Sequence, residues 1–166
     1  IPINYYEQKI DEIILKQFGL EIREANLDYW KKLIKTVDNL KNEIEIANFE
    51  NAHIKDGVAM VKFIKYLKDN VGKEKVTEIS ASKKLSELRS QGELAKRDSF
   101  GTIAGYKEHA AMMHYSASED NYANIKAEGM LLVDSGGQYL EGTTDITRTF
   151  AMGPLTDKMK DYFTRV

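Results

Sequence analysis

Residues 133–150 have the sequence VDSGGQYLEGTTDITRTF, and this stretch decides the fold of the chain. It continues an apolar run, Met130–Val133, that is typical of a buried strand. Thr143–Phe150 is rich in β-branched residues and alternates in polarity, which predicts a second strand. Between them, Tyr139–Gly142 predicts a turn of about four residues. The segment therefore predicts two antiparallel strands joined by a tight connection.

The two aspartates of this hairpin are its candidate functional residues. In the predicted register Asp145 lies opposite Gly136, a position that faces the same side of the sheet as Asp134. The carboxylates are then diagonal neighbours, roughly 7–8 Å apart at the backbone, whereas a shift of one residue would put them on opposite faces. Carboxylates bind divalent cations, and paired metals roughly 3.5–4 Å apart can bridge a hydroxide and polarise a carbonyl. If the turn keeps Asp145 opposite Gly136, the spacing of the two aspartates predicts a shared metal site.

A second interpretation of the same residues needs no metal. Residues 134–137 have the composition of a turn with an Asx motif, and Asp145 fits an ordinary polar position on an exposed strand face. On composition alone this second interpretation is favoured. The residues by themselves leave both interpretations open.

Helical patterns dominate the sequence before residue 98. The longest, Asn42–Asn70, has a broad apolar face that we expect to lie in the core, formed by Ile54, Val58, Met60, Val61, Phe63, Ile64 and Leu67. A second helix is predicted from an N-cap at Thr77 to about Gly92, and a third begins after Thr156. Shorter elements are predicted as helices at 5–18 and 28–39 and as strands at 20–23, 100–104 and 111–115. This order indicates an α+β fold, with helices packed on one face of a curved antiparallel sheet.

The composition is that of an ordinary globular domain. Hydrophobic residues make up 42% of the chain and charged residues 30%. The formal net charge of −2 gives no reason to expect a nucleic acid or an anionic membrane as partner. No apolar run approaches the roughly 20 residues of a membrane-spanning helix. The absence of cysteine excludes a disulfide framework and a thiolate metal site, and it fits a cytoplasmic location.

Several segments together resemble the Xaa-Pro aminopeptidases (aminopeptidase P), whose family includes methionine aminopeptidase, prolidase and creatinase. In chain order they are AHIKDGVA at 52–59, TEISA at 77–81, SFGTI at 99–103, AMMHY at 111–115, DSGGQY at 134–139 and GTTDITRTF at 142–150. The resemblance extends from about Leu40 to Val166. It implies that residues 40–166 form the front part of a pita-bread catalytic domain, with helices on a curved antiparallel sheet. Residues 1–39 are then a linker or the remnant of a preceding domain.

The resemblance also implies roles for individual residues. Asp134 and Asp145 match the family's two aspartate metal ligands. His114 matches a catalytic histidine that faces the substrate and helps move protons or hold the scissile carbonyl. Phe100 matches a position lining the pocket for the first residue of the peptide, and Thr147 is expected to support the bridging hydroxide. The implied cofactors are two divalent ions, with manganese favoured by the carboxylate-rich ligands and zinc or cobalt as alternatives.

The implied reaction is hydrolysis of the bond between an N-terminal residue and a following proline, by a metal-bridging hydroxide. Prolidase and methionine aminopeptidase share the fold and the aspartate spacing, but the residues at 138–139 and 142–144 favour aminopeptidase P. A non-catalytic pita-bread module that binds peptides or proteins is the alternative from another class. A homodimer is expected by analogy alone.

Two of the family's five metal ligands are present, and this is the main departure from its pattern. The others, one histidine and two glutamates, belong to strands that follow the last residue of this chain. We therefore expect a piece of a longer polypeptide that is inactive alone. His53 is interpreted as structural, and the role of His109 is left open.

Overall fold

The computed structural model describes residues 41–166, so the elements predicted at 5–18, 20–23 and 28–39 lie outside the described residues. Three α-helices are present among the described residues: α1 (Glu43–Asn70), α2 (Glu78–Ser90) and α3 (Asp157–Arg165). The predicted N-caps are confirmed. Thr77 Oγ1 accepts from Ser80 N and Thr156 Oγ1 accepts from Met159 N, which satisfies amides that lack partners inside each helix.

The strands are short and every ladder is antiparallel. They are β1 (Val76–Thr77), β2 (Ala95–Asp98), β3 (Ile103–Tyr106), β4 (Asn124–Ile125), β5 (Met130–Ser135), β6 (Gly137–Tyr139), β7 (Gly142–Thr143) and β8 (Ile146–Ala151). Within residues 41–166 they form the pair β1-β4 and two three-stranded sheets, β2-β6-β7 and β3-β5-β8. Helices on antiparallel sheets confirm the predicted α+β class.

The core lies between the two long helices and one face of the β3-β5-β8 sheet. Leu131 and Val133 of β5 are fully buried and pack with Phe63 and Leu67 of α1 and with Leu85 of α2. Burying each side chain of this size contributes roughly 1.5–3 kcal/mol. This layer fixes which face of β5 points inward. None of the helices in the described part of the chain has the length and apolarity needed to cross a membrane.

The prediction of which α1 residues lie in the core is partly wrong. Ile54, Val58 and Val61 are 66%, 51% and 66% exposed, while Met60, Phe63 and Leu67 are buried as predicted. The buried stripe continues toward the helix start through small residues and through Asp56, a carboxylate held by Arg89. Counting apolar residues missed this stripe because alanines and an ion-paired aspartate score as weakly hydrophobic.

The strand predicted at 111–115 is also wrong. A 3₁₀ helix at Lys107–Ala111 is followed by a turn in which His114 has a φ of 54°. The left-handed His114 and the turn around it interrupt any strand here, and of residues 111–115 only Tyr115 is buried. The strand predicted at 100–104 is displaced rather than absent, since β3 begins at Ile103 and Phe100 lies in the preceding bend.

Candidate metal centre

Asp134 lies on the face of the sheet that is turned away from the helices. Side chains alternate along β5, so the buried Leu131, Val133 and Ser135 point toward the core and Asp134 points the other way, partly exposed. Its partners in the flanking strands are Ile103 of β3 and Thr147 of β8. Because β5 is the central strand, its backbone is bonded on both sides and Asp134 has a rigid base.

Thr147 is the direct polar neighbour of Asp134. Thr147 Oγ1 donates to Asp134 Oδ1 at 2.7 Å across the β5–β8 pair. This bond occupies one side of one carboxylate oxygen and leaves the second oxygen available to a ligand. Thr147, expected to support the bridging hydroxide, therefore contacts the first aspartate, and the expectation itself stays a prediction.

Asp145 is positioned by the residue before it. Thr144 is fully buried, its amide donates to Gly137 O at 2.9 Å, and its Oγ1 accepts from Gly137 N at 2.8 Å. Ser99 Oγ donates to Thr144 O at 3.0 Å from the other side. With Thr144 fixed inward and Asp145 exposed, the alternation that continues to Thr147 puts the second aspartate on the side of the first.

The predicted register holds on both sides of this connection. Ser135 pairs with Ile146 in one ladder and Gln138 pairs with Thr143 in the next, with the same offset. Gly136 therefore lies opposite Asp145 by count, as predicted. The single strand expected at 143–150 is instead divided into β7 and β8, because Thr144 turns inward between them.

Gly136 is required by close packing in this connection. A Cβ at this position would lie 1.9 Å from Thr144 O and 2.4 Å from Ser99 Oγ. Contacts this short with a backbone oxygen cannot be relieved by moving a side chain. Gly136 therefore lets the two segments that carry the aspartates approach each other closely.

A buried ion pair supports the inner side of β5 behind Asp134. Arg89 Nε and Nη2 donate to the two oxygens of Asp56, and Nη2 also donates to Ser135 Oγ at 2.9 Å. Tyr139 OH donates to Asp56 Oδ1 at 3.2 Å, and burial together with the Asp56 carboxylate raises the pKa of this phenol. Ser135 is the residue next to Asp134, so the network links α1, α2 and β6 to the candidate site.

Sequence analysis missed this network. The available signal was Asp56, a carboxylate within the stripe of α1 that packs inward, since a buried charge requires a partner.

His114 is exposed and belongs to the loop segment 107–123, which follows β3 and precedes β4. A Cβ on Gly105 would lie 2.9 Å from Ala110 Cα, so this part of the segment covers Gly105. Gly105 pairs with Leu132 and lies two residues from Ile103, which pairs with Asp134, so these positions share one face. Ala110, four residues before His114, thus lies over the face of the sheet that carries Asp134.

The remaining candidate residues have more local settings. Phe100 is partly buried in the bend after Ser99. His53 Nδ1 lies 2.8 Å from Phe49 O within α1, which agrees with a structural role. His109, whose role was open, bonds through Nδ1 to Glu78 at 3.0 Å.

The donor set suits hard divalent cations. Asp134 and Asp145 offer carboxylate oxygens, which bind ions such as Mn²⁺ and Mg²⁺. Across residues 41–166, no group of three or more histidine, aspartate or glutamate side chains is arranged to hold a metal. The described residues therefore provide two carboxylates on one sheet face.

Comparison with known proteins gives matches over most of this chain. The sequence profile of metallopeptidase family M24 matches residues 47–166. A probable Xaa-Pro aminopeptidase P from Laccaria bicolor is 40% identical over 87% of this chain and 23% of its own length. The Drosophila melanogaster Xaa-Pro aminopeptidase ApepP is 40% identical over 76% of this chain and 21% of its own length.

A solved structure gives the same result in three dimensions. The X-prolyl aminopeptidase from Caenorhabditis elegans, described as a cytosolic enzyme with a di-nuclear active site, superposes with a TM-score of 0.72 at 33% identity. The match covers 76% of this chain and 21% of that one. The present chain thus spans about a fifth of the length of the proteins that it matches.

Proposed function

Because this chain belongs to metallopeptidase family M24, we propose that it forms the front part of the catalytic domain of an Xaa-Pro aminopeptidase. The enzyme releases the first residue from peptides that have proline in second position. The observation that carries the proposal is the placement of Asp134 and Asp145 on one sheet face, fixed by Thr144 and Gly136. The catalytic domain is proposed to cover residues 40–166, with residues 1–39 outside it.

Asp134 and Asp145 are the proposed metal ligands. Two divalent ions, manganese by preference and zinc or cobalt as alternatives, supply the nucleophile and neutralise developing charge when bound. The dinuclear site described for the C. elegans relative supports this number. The three further ligands implied by the family come from residues outside this chain.

The other proposed residues orient a metal ligand, transfer a proton or bind the substrate. Thr147 holds the Asp134 carboxylate in one orientation through its hydroxyl. His114, whose side chain is exposed, moves a proton or holds the scissile carbonyl of the peptide. Phe100 lines the pocket for the first residue. A cytoplasmic location is proposed from the relative described as cytosolic.

The experiment uses the full-length polypeptide that contains this sequence, assayed on a peptide with proline second and on the same peptide with alanine second. We expect cleavage of the first, loss with a chelator, and recovery with Mn²⁺. Asp145→Ala should lower kcat at least about a thousandfold, since the metals provide most of the stabilisation of the transition state.

The matched control is Asp69→Ala, which removes an exposed carboxylate at the end of α1. It should leave activity within about twofold, as expected for a surface ion pair. Near-full activity of Asp145→Ala would contradict the metal assignment. Equal cleavage of the two peptides would contradict the proposed substrate class.

A further inference from the structure

Glu78 is a fully buried carboxylate outside the candidate metal centre. It occupies the first position of α2, where the exposed amides of a helix start favour negative charge. Burying a charged group is costly unless its hydrogen-bonding capacity is satisfied. The hydrogen-bond partners of the Glu78 carboxylate therefore indicate its role in the structure.

Within residues 41–166, the groups that bond to the Glu78 carboxylate belong to the loop segment 107–123 and the residues at its two ends. Tyr106 N donates to Oε1 and Ala123 N donates to Oε2, each at 2.7 Å. These amides lie at the two ends of the loop segment 107–123, at the last residue of β3 and just before β4. The Glu78 amide also donates to Ala123 O at 3.1 Å. One residue thus closes the loop at its base.

Two further partners come from inside the same loop. Tyr115 OH donates to Oε2 at 2.7 Å, and His109 Nδ1 lies 3.0 Å from both carboxylate oxygens. An ionised carboxylate only accepts, so Nδ1 of His109 carries a proton. The His109 and Tyr115 rings pack together with centroids 4.6 Å apart. Burial and the Glu78 carboxylate raise the pKa of the Tyr115 phenol, which keeps it a donor.

His114 directly precedes Tyr115, and its backbone is left-handed with a φ of 54°. For a residue other than glycine this conformation is strained and persists only where the surroundings impose it. The Glu78–Tyr115 bond lies one residue away, and the Glu78–His109 contact fixes the other side of the turn. The side chain of His114 itself is left exposed.

We propose that Glu78 is a positioning residue, which fixes His114 relative to the proposed metal site by holding both ends and the interior of segment 107–123. The inference rests on the proposed function, since it acts through His114. Glu78 does not reach the substrate; it acts by fixing the loop. His109 and Tyr115 transmit its effect.

The test is a double-mutant cycle in the full-length enzyme, with Glu78→Gln, His114→Ala and both together. Glu78→Gln should lower kcat about 10- to 100-fold and leave KM within about twofold, because the loss falls on the transition state. In the His114→Ala background the same change should cost less than about twofold, since residues that act as a unit are non-additive. Tyr115→Phe, which removes one bond, should give a smaller loss of the same kind.

Hydrogen–deuterium exchange provides a readout independent of activity. Peptides covering residues 107–123 should exchange faster in Glu78→Gln, while peptides from β5 remain protected. Glu87→Gln is the matched control, because this exposed carboxylate lies on the same helix and pairs with Lys84 at 3.0 Å. It should change neither exchange nor kcat.

Each outcome separates the two proposals. Full additivity with His114→Ala, or unchanged exchange in segment 107–123, would overturn the positioning role even in an active enzyme. Should Glu78→Gln fail to fold, Tyr115→Phe replaces it in the double-mutant cycle with His114→Ala. Absence of Xaa-Pro cleavage by the wild-type enzyme would refute the proposed function and Glu78's catalytic effect with it, while faster exchange would still establish that Glu78 orders the loop.

Discussion

At the scale of single residues, the hydroxyl of Thr147 is the most direct influence on the candidate metal ligands. Its bond to Asp134 Oδ1 orients the carboxylate and leaves the other oxygen available to a ligand. Thr147→Val keeps the β-branched shape and removes only this bond. We expect manganese affinity of the full-length enzyme to fall about 10- to 100-fold, the usual effect of losing a partner that orients a ligand.

The measurement is a calorimetric titration with Mn²⁺. Thr149→Val is the control, since Thr149 lies on the same strand and pairs with Leu132, away from the aspartates. Thr147→Ser should restore most of the affinity. Unchanged affinity in Thr147→Val would remove Thr147 from the site.

Asp134, Asp145 and Thr147 could be proposed from the sequence because the family resemblance rests on the run of residues that contains them. Sequence analysis did not identify Glu78 or Arg89, whose roles depend on partners 28 to 46 residues away. Such pairings follow from tertiary packing, and local patterns carry little information about them.

At the scale of elements, the Arg89–Asp56 pair joins α1 to α2 and to β5. Removing one partner leaves a buried charge uncompensated, so Arg89→Met should lower the free energy of unfolding by about 3–5 kcal/mol. Replacing both with Arg89→Met and Asp56→Leu should cost less than the single change. Urea unfolding monitored by circular dichroism measures both, and Arg97→Met on the exposed side of β2 provides the control. A double variant as unstable as the single one would contradict this explanation.

The α+β class, the capped helix starts and the hairpin register were predictable because each depends on short-range rules. The likeness to the C. elegans enzyme confirms the pita-bread fold. The 111–115 strand was wrong since five residues of mixed character cannot distinguish a strand from a turn held by a distant carboxylate. The outward stripe of α1 was wrong because apolarity alone does not determine which side of a helix packs.

At the scale of the whole molecule, the described residues contain two carboxylates proposed as ligands, fewer than a dinuclear site needs. We predict that residues 1–166 alone bind Mn²⁺ weakly, with Kd on the order of a millimolar, and do not cleave peptides, since two carboxylates provide few of the oxygens such ions require. Calorimetry and a peptidase assay on this chain test the expectation, with Asp134→Asn and Asp145→Asn together as the control. Micromolar binding with turnover would mean that residues interpreted as structural complete the site.

The close approach at Gly136 has a consequence for the gene that encodes this protein. Every single-nucleotide change that replaces a glycine introduces a residue with a Cβ, and here that atom would overlap Thr144 O. The codon is therefore open to silent changes alone, whatever the size or charge of the substitute. Related sequences should therefore vary at Ile54 and Val58 on the helix surface and keep glycine at position 136, where two segments of backbone are in contact.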